Sequence, residues 1–206
     1  MRGRIIIARH GRPNLSREVK ITSKEYGEWW KQYDASGLHP DERVPASLVE
    51  AAKGAAHVYS STLPRAIETA KQVVQGARDV PQDALFVEAH LPPPPIPGIK
   101  LRPGTWGGIS RAFWICGYTK GGKFESHFAT WKRVHQIADR LIEMTEDGNV
   151  VLCAHGYLNW MIYRCLKKRH NWLLVHHEGR NDYWSWRAYE HGARETAIEQ
   201  RPATAE

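Results

Sequence analysis

Apolar and polar residues alternate along this chain in two rhythms. Short unbroken apolar runs, Ile5-Ile6-Ile7-Ala8 and Val150-Val151-Leu152-Cys153-Ala154, are bounded by charge and by glycine, the pattern of buried strands. Between and after them apolar residues recur at helical spacing. Leu63, Ile67, Ala70 and Val74 share one face; so do Trp131, Val134, Ala138, Leu141 and Ile142, and so do Leu158, Ile162 and Cys165. The pattern predicts a first strand over 4–8, a helix from about Ala46 to Ala56 and a strand over 57–60. A helix to about Gly76 and a strand over Ala84–Glu88 follow, then the long Trp131 helix, the 149–154 strand with its helix, and a final strand over Asp182–Ala188. Strands alternating with helices imply a three-layer α/β fold, a mainly parallel central sheet with helices on both faces.

Four positions at the ends of these elements carry candidate chemistry. Arg9-His10-Gly11 closes the first strand, and loops leaving parallel strands are where open α/β sheets place their ligands. An imidazole attacks phosphorus well, because one ring nitrogen is nucleophilic at neutral pH while a hydrogen bond fixes the other. Arg9 would hold phosphoryl oxygens with a planar, permanently charged fork. The plain alternative is a surface histidine beside a surface arginine. Ser60-Ser61-Thr62-Leu63-Pro64-Arg65 reads as strand end, hydroxyl-rich turn and helix start, with Ser61 or Thr62 as cap and Pro64 in the first turn. Arg65 and the free N–H groups there would attract an anion, unless Arg65 is simply solvated.

Ala154-His155-Gly156 repeats the strand-to-His-Gly logic of the first segment. Two such ends with two arginines at element boundaries point to a cluster built around phosphate. Glu88 ends its predicted strand, and is either the missing proton donor or a surface acid.

In order and type these segments resemble the histidine phosphatase superfamily, which includes cofactor-dependent phosphoglycerate mutases and many small phosphatases. The anchors run from residue 9 to 156. The resemblance implies a phosphoglycerate mutase-like fold. It also implies a phosphomonoester hydrolase in which His10 becomes phosphorylated, Arg9, Arg65 and His155 surround the phosphate, and Glu88 protonates the leaving oxygen and then activates water. Positioned cations and in-line geometry should provide most of such catalysis, and Glu88 would need a raised pKa or rapid reprotonation. A mutase that returns the phosphoryl group to a second hydroxyl, or a noncatalytic phospholigand binder, are the alternatives. The chain lacks the longer insertions of the mutases.

The chain also departs from that pattern. The signature commonly continues with a hydroxyl residue and then an asparagine, whereas here Gly11 is followed by Arg12-Pro13-Asn14-Leu15-Ser16. Asn14 either substitutes for the lost contact or caps a turn, and Arg12 either charges the pocket mouth or is solvated. His90-Leu91-Pro92-Pro93-Pro94-Pro95-Ile96-Pro97-Gly98 favours a stiff extended form, a pocket wall or else a docking ligand for another protein. Trp106, Phe113, Trp114 and Tyr118 would contact an organic leaving group or pack a cap. Accordingly a single α/β domain is expected over 1–193, with an irregular Pro/Gly/Trp-rich insertion at about 89–128 and a polar, flexible tail over 194–206.

Composition narrows the partners. The 206 residues carry a formal charge of +7, which favours anionic ligands. The basic residues are scattered and no recognition motif appears, so nucleic acid is not expected as a partner despite nine tryptophans and eight tyrosines. The expected partner is a phosphorylated small-molecule or headgroup substrate, and exposed aromatics would suit a homodimer surface. None of the eleven histidines shows paired ligand spacing, so no metal and no cofactor are expected. Cys116, Cys153 and Cys165 read as reduced packing residues. Apolar runs reach only strand length, too short to span a membrane. The N-terminal run ends at Arg9-His10 without a cleavage site, so a cytoplasmic protein is expected.

Overall fold

The computed structural model describes residues 2–192. The polar tail predicted over 194–206 lies outside them. Five strands form one sheet in the order β2-β3-β1-β5-β4: β1 (Ile5–Arg9), β2 (His57–Ser60), β3 (Val150–Ala154), β4 (Trp172–Glu178) and β5 (Trp186–His191). β1, β2 and β3 are parallel, and β5 runs antiparallel to both β1 and β4. The sheet is therefore mainly parallel, with β5 as the reversed strand.

Because successive strand residues point to opposite faces, β1 and β3 each feed two cores. Ile5, Ile7, Val150 and Leu152 pack with Val134, Ile137 and Leu141 of α5 (His127–Met144) and with Leu158 and Ile162 of α6 (Gly156–His170). Ile6, Ala8, Val151 and Cys153 pack on the other face with Leu48 of α2 (Ala46–Ala52) and with Ala70 and Val73 of α3 (Pro64–Val73). Helices thus cover both faces of the sheet. Among the described residues no helix is long and apolar enough to cross a membrane.

A third, aromatic cluster joins α1 (Ser23–Ala35) to α4 (Pro103–Ile115) through Tyr26, Trp29, Tyr33 and Trp106. Helix α1 was not read from its apolar spacing. Its signal is the capping box at Thr22-Ser23-Lys24-Glu25, where Thr22 Oγ1 accepts from Glu25 N at 3.3 Å and Glu25 Oε2 accepts from Thr22 N at 2.7 Å. Helix α4 corrects the expectation of an irregular insertion. Pro103 opens it in the position proline favours, and Trp106 and Trp114 are wholly buried, with indole N–H groups donated to Ile21 O and Glu125 O. Those two tryptophans pack the cap and do not face the cleft.

Other expectations change for local reasons. Ala84–Glu88 is not a strand but a 3₁₀ turn over Ala84–Phe86, started by Asp83 Oδ1 accepting from Leu85 N at 2.8 Å. Arg133 of α5 then takes the carbonyls of Leu85 and Val87, leaving them no role in a ladder. α2 stops at Ala52 and α3 at Val73, short of the predicted Ala56 and Gly76; after α2 the backbone turns at Gly54, at φ +70. The last strand begins at Trp186, and 179–185 instead form the connection from β4. β4 is an addition to the expected strands: Trp172-Leu173-Leu174-Val175 is an apolar run, but in the structure only Trp172 is buried, and Leu173, Leu174 and Val175 are exposed at the sheet edge. The proline-rich segment packs behind α1, where Pro94 O accepts from Ser23 Oγ, and none of its prolines walls the cleft described next.

Candidate active site

Register assembles the site. β2, β3 and β1 lie side by side and end together: Ser60 pairs with Cys153 and Arg9 with Ala154, so Ser61, His155 and His10 follow at neighbouring positions on one sheet edge. The His10 and His155 rings lie 5.2 Å apart, centre to centre. Both open onto a cleft of about 380 Å³ that Arg9, Arg65 and Glu88 also line. The structure therefore brings all five sequence-predicted residues together, outside the carboxyl ends of parallel strands.

His10 is 2% exposed, and its Nδ1 lies 2.7 Å from Gly11 O. That carbonyl can only accept, so Nδ1 carries the hydrogen and Nε2 keeps its lone pair. Arg65 Nε donates to Nε2 at 3.3 Å, consistent with the same tautomer. Burial, then the charges of Arg65 and Arg9, hold the His10 pKa well below the usual histidine value against the opposing pull of the Gly11 carbonyl. The ring is therefore neutral at neutral pH, with its Nε2 lone pair oriented toward Arg65 and the cleft.

Arg65 is 1% exposed, an unusual place for a guanidinium. It is compensated by Asp34 Oδ1 at 3.1 Å and by Tyr33 O at 2.7 Å, both at the end of α1, and it stacks on the Tyr33 ring. Thr69, one turn further along α3, accepts from Gly11 N at 3.0 Å and donates to Arg65 O at 2.7 Å, which ties the His10 loop to the Arg65 helix. Ser61 is not a helix cap. Leu63 holds that position without a side-chain bond, and Ser61 Oγ instead meets His155 Nε2 at 2.8 Å.

His155 precedes α6, and burial first, then the adjacent His10 ring and the charges of Arg65 and Arg9, lower its pKa as well. Its Nδ1 and Arg9 Nε are buried without a partner among the described residues, as is Arg111 Nε, on a side chain stacked over Tyr157 at the same cleft. Buried orphan nitrogens are rare, and three around one cavity mark a place where a ligand's acceptors fit. Gly156 permits the approach of Arg9, since a Cβ there would stand 3.1 Å from Arg9 Nε.

Glu88 reaches the cleft from the loop after the 3₁₀ turn. Its carboxylate accepts from Ala89 N at 3.1 Å, Tyr157 N at 3.2 Å and Leu158 N at 3.0 Å. The latter two are free first-turn N–H groups of α6, so the helix start fixes the acid.

Sequence reasoning missed several neighbours. Arg17 lines the cleft, and Tyr183 from the β4–β5 connection packs 5.8 Å from His10. Arg12 and Asn14 do not line it. Arg12 turns to Glu42, and Asn14 N donates to Gly37 O. Among the described residues no group of three or more His, Cys, Asp or Glu is placed to hold a metal ion.

The family model of the histidine phosphatase superfamily, branch 1, matches residues 5–200. The chain belongs to that superfamily. Comparison with curated protein sequences gives no match. Solved structures share the fold at low identity. A mycobacterial glucosyl-3-phosphoglycerate phosphatase in complex with VO3 is 23% identical with a TM-score of 0.54, covering 82% of this chain and 83% of its own. A structure described as mycobacterial hydrolase 2 is 21% identical at a TM-score of 0.57, over 97% and 87%. A putative alpha-ribazole-5'-P phosphatase from Escherichia coli is 15% identical at 0.55, over 81% and 80%. The chain is thus a histidine phosphatase superfamily member with a phosphoglycerate mutase-like fold.

Proposed function

We propose that this superfamily member hydrolyses phosphomonoesters through a phosphohistidine at His10. The observation that carries the reading is the buried His10 ring, held neutral with Nδ1–H on Gly11 O and Nε2 open to a cleft bearing Arg65, Arg9 and Glu88. A bound phosphoryl group takes over the Arg65 Nε–H and fills the orphan nitrogens of Arg9 and His155. The Nε2 lone pair then forms the P–N bond as the P–O bond to the alcohol breaks, and Glu88 passes a proton to the departing oxygen. In the second half Glu88 takes a proton from water, the oxygen attacks phosphorus, and the P–N bond breaks to return neutral His10. Negative charge persists on the phosphoryl oxygens throughout, so the surrounding cations stabilise every stage. The leaving group lies toward Trp30, Tyr157 and Trp160, rings suited to a small organic moiety.

The test is incubation with an aryl phosphate followed by acid-labile phosphate analysis of wild type and His10→Ala. Wild type is expected to form phosphohistidine and release inorganic phosphate, with neither in the variant. Turnover surviving in His10→Ala overturns the assignment. A mutase would instead transfer the label to an added hydroxyl compound in place of water.

A further inference from the structure

We propose that Arg17 is a phosphoryl-binding residue and that Tyr183 is the positioning residue that holds Arg17 and Arg9 over His10; this rests on the phosphohistidine reading of the same site. The first observation is charge. Arg65 has a carboxylate partner in Asp34, but among the described residues neither Arg9 nor Arg17 has one within ion-pair distance. Two uncompensated guanidinium groups beside a buried histidine repel one another, and their natural complement is a phosphoryl dianion.

The second observation is how Arg17 is held. Its one hydrogen bond among the described residues runs from Nη1 to Tyr183 Oη at 3.1 Å, so its remaining N–H donors are unspent. Its guanidinium reaches the start of α4, where a Cβ on Gly104 would lie in ordinary contact, 3.6 Å from Arg17 Nη2. Its charge is close enough to add to the lowering of the His10 pKa.

Tyr183 joins the two arginines. Its hydroxyl accepts from Arg17, its ring carries the Arg9 guanidinium 4.8 Å from the centroid, and the same ring lies 5.8 Å from His10. Arg9 in turn donates to Asn181 O on the same connection. This strap is anchored by the next residue. Trp184 sits at φ +63, a conformation that is costly for a large side chain, and is held there by Nε1 donating to Glu42 Oε2 at 2.5 Å and by packing on Gly11. A strained anchor beside the nucleophile fixes where Tyr183 stands. Arg17 and Tyr183 are 166 positions apart in sequence, so their contact exists only if the strap closes over the loop after His10.

A double-mutant cycle tests the proposal, read in two ways: kcat/KM on an aryl phosphate, and the affinity of inorganic phosphate followed by tryptophan fluorescence. Arg17→Met is expected to lower kcat/KM by about 10²-fold and weaken phosphate binding about tenfold, with Arg17→Lys intermediate. Tyr183→Phe keeps the ring and loses the hydroxyl, and is expected to cost about five- to tenfold. If Tyr183 acts through Arg17, adding Tyr183→Phe to Arg17→Met costs no more than about twofold further, because their effects are coupled. Unchanged kcat/KM and phosphate affinity in a folded Arg17→Met protein overturn the role of Arg17. Fully multiplicative effects overturn the role of Tyr183. Absence of phosphohistidine in wild type would defeat the catalytic reading alone, since phosphate affinity still reports on Arg17.

Discussion

The chain carries the same two residues, His-Gly, at the ends of two adjacent parallel strands, and the protein treats them differently. At β1, His10 is followed by an irregular loop, its Nδ1–H is spent on Gly11 O, and Nε2 faces Arg65. At β3, His155 leads directly into α6, its Nε2 is engaged by Ser61, and Nδ1 has no partner among the described residues. The glycines also differ. Gly11 is required because a Cβ would stand 2.5 Å from the Trp184 ring, whereas at Gly156 it would meet the more yielding Arg9 side chain at 3.1 Å. An identical motif thus acquires different free nitrogens in the two places, Nε2 facing Arg65 at His10 and Nδ1 unpartnered at His155, and the partners, not the motif, make the distinction.

The sharpest way to break this comparison is to remove each ring. His10→Ala is expected to abolish phosphohistidine and lower turnover by about 10⁴-fold or more, because it removes the nitrogen proposed to form the P–N bond. His155→Ala is expected to cost about 10²- to 10³-fold, the scale for one lost transition-state donor, while His10 still becomes labelled. Quench-flow labelling checks both; equal losses with no labelling in either would erase the distinction. Gly11→Ala is expected to destabilise the fold by about 1–3 kcal/mol through its clash with Trp184, measured by urea denaturation, and Gly156→Ala by less. Ser61→Ala leaves His155 Nε2 without its partner and is expected to lower kcat about tenfold with His10 labelling intact.

The smallest effect is pH dependence of stability. Both histidines have folded pKa values well below the ordinary 6.5, so the unfolded chain binds protons that the native state refuses as pH falls. Stability from these sites is full above about pH 7 and is lost on acidification. The loss is about 0.4 kcal/mol per histidine at pH 6.5 and steepens below it. Urea midpoints between pH 5.5 and 8 measure it, and His10→Ala is expected to flatten the slope; a slope unchanged by the variant would show that His10 is not held neutral.

Much of the site was legible because its signals are local. The apolar runs of β1 and β3, the Pro64-Arg65 helix start and the His-Gly ends each declare themselves within a few residues, and a parallel sheet must then set those ends side by side. Glu88 lines the cleft for a reason that is not local: the segment expected as a strand is a turn, and the carboxylate is placed by the N–H groups of α6, about seventy residues away.

The sequence by itself determined β1, β2, β3 and the helices that flank them, the two-faced core they build and the identity of the residues at the strand ends, since these follow from periodicity and from the chemistry of short segments. Only the tertiary structure decided which nitrogen of each histidine is free, that Asp34 neutralises Arg65, that Arg12 and Asn14 turn away, and that Arg17 meets Tyr183. Those outcomes depend on contacts between segments far apart in the chain. Such contacts form only when helices and loops pack on the finished sheet, and no local pattern encodes them.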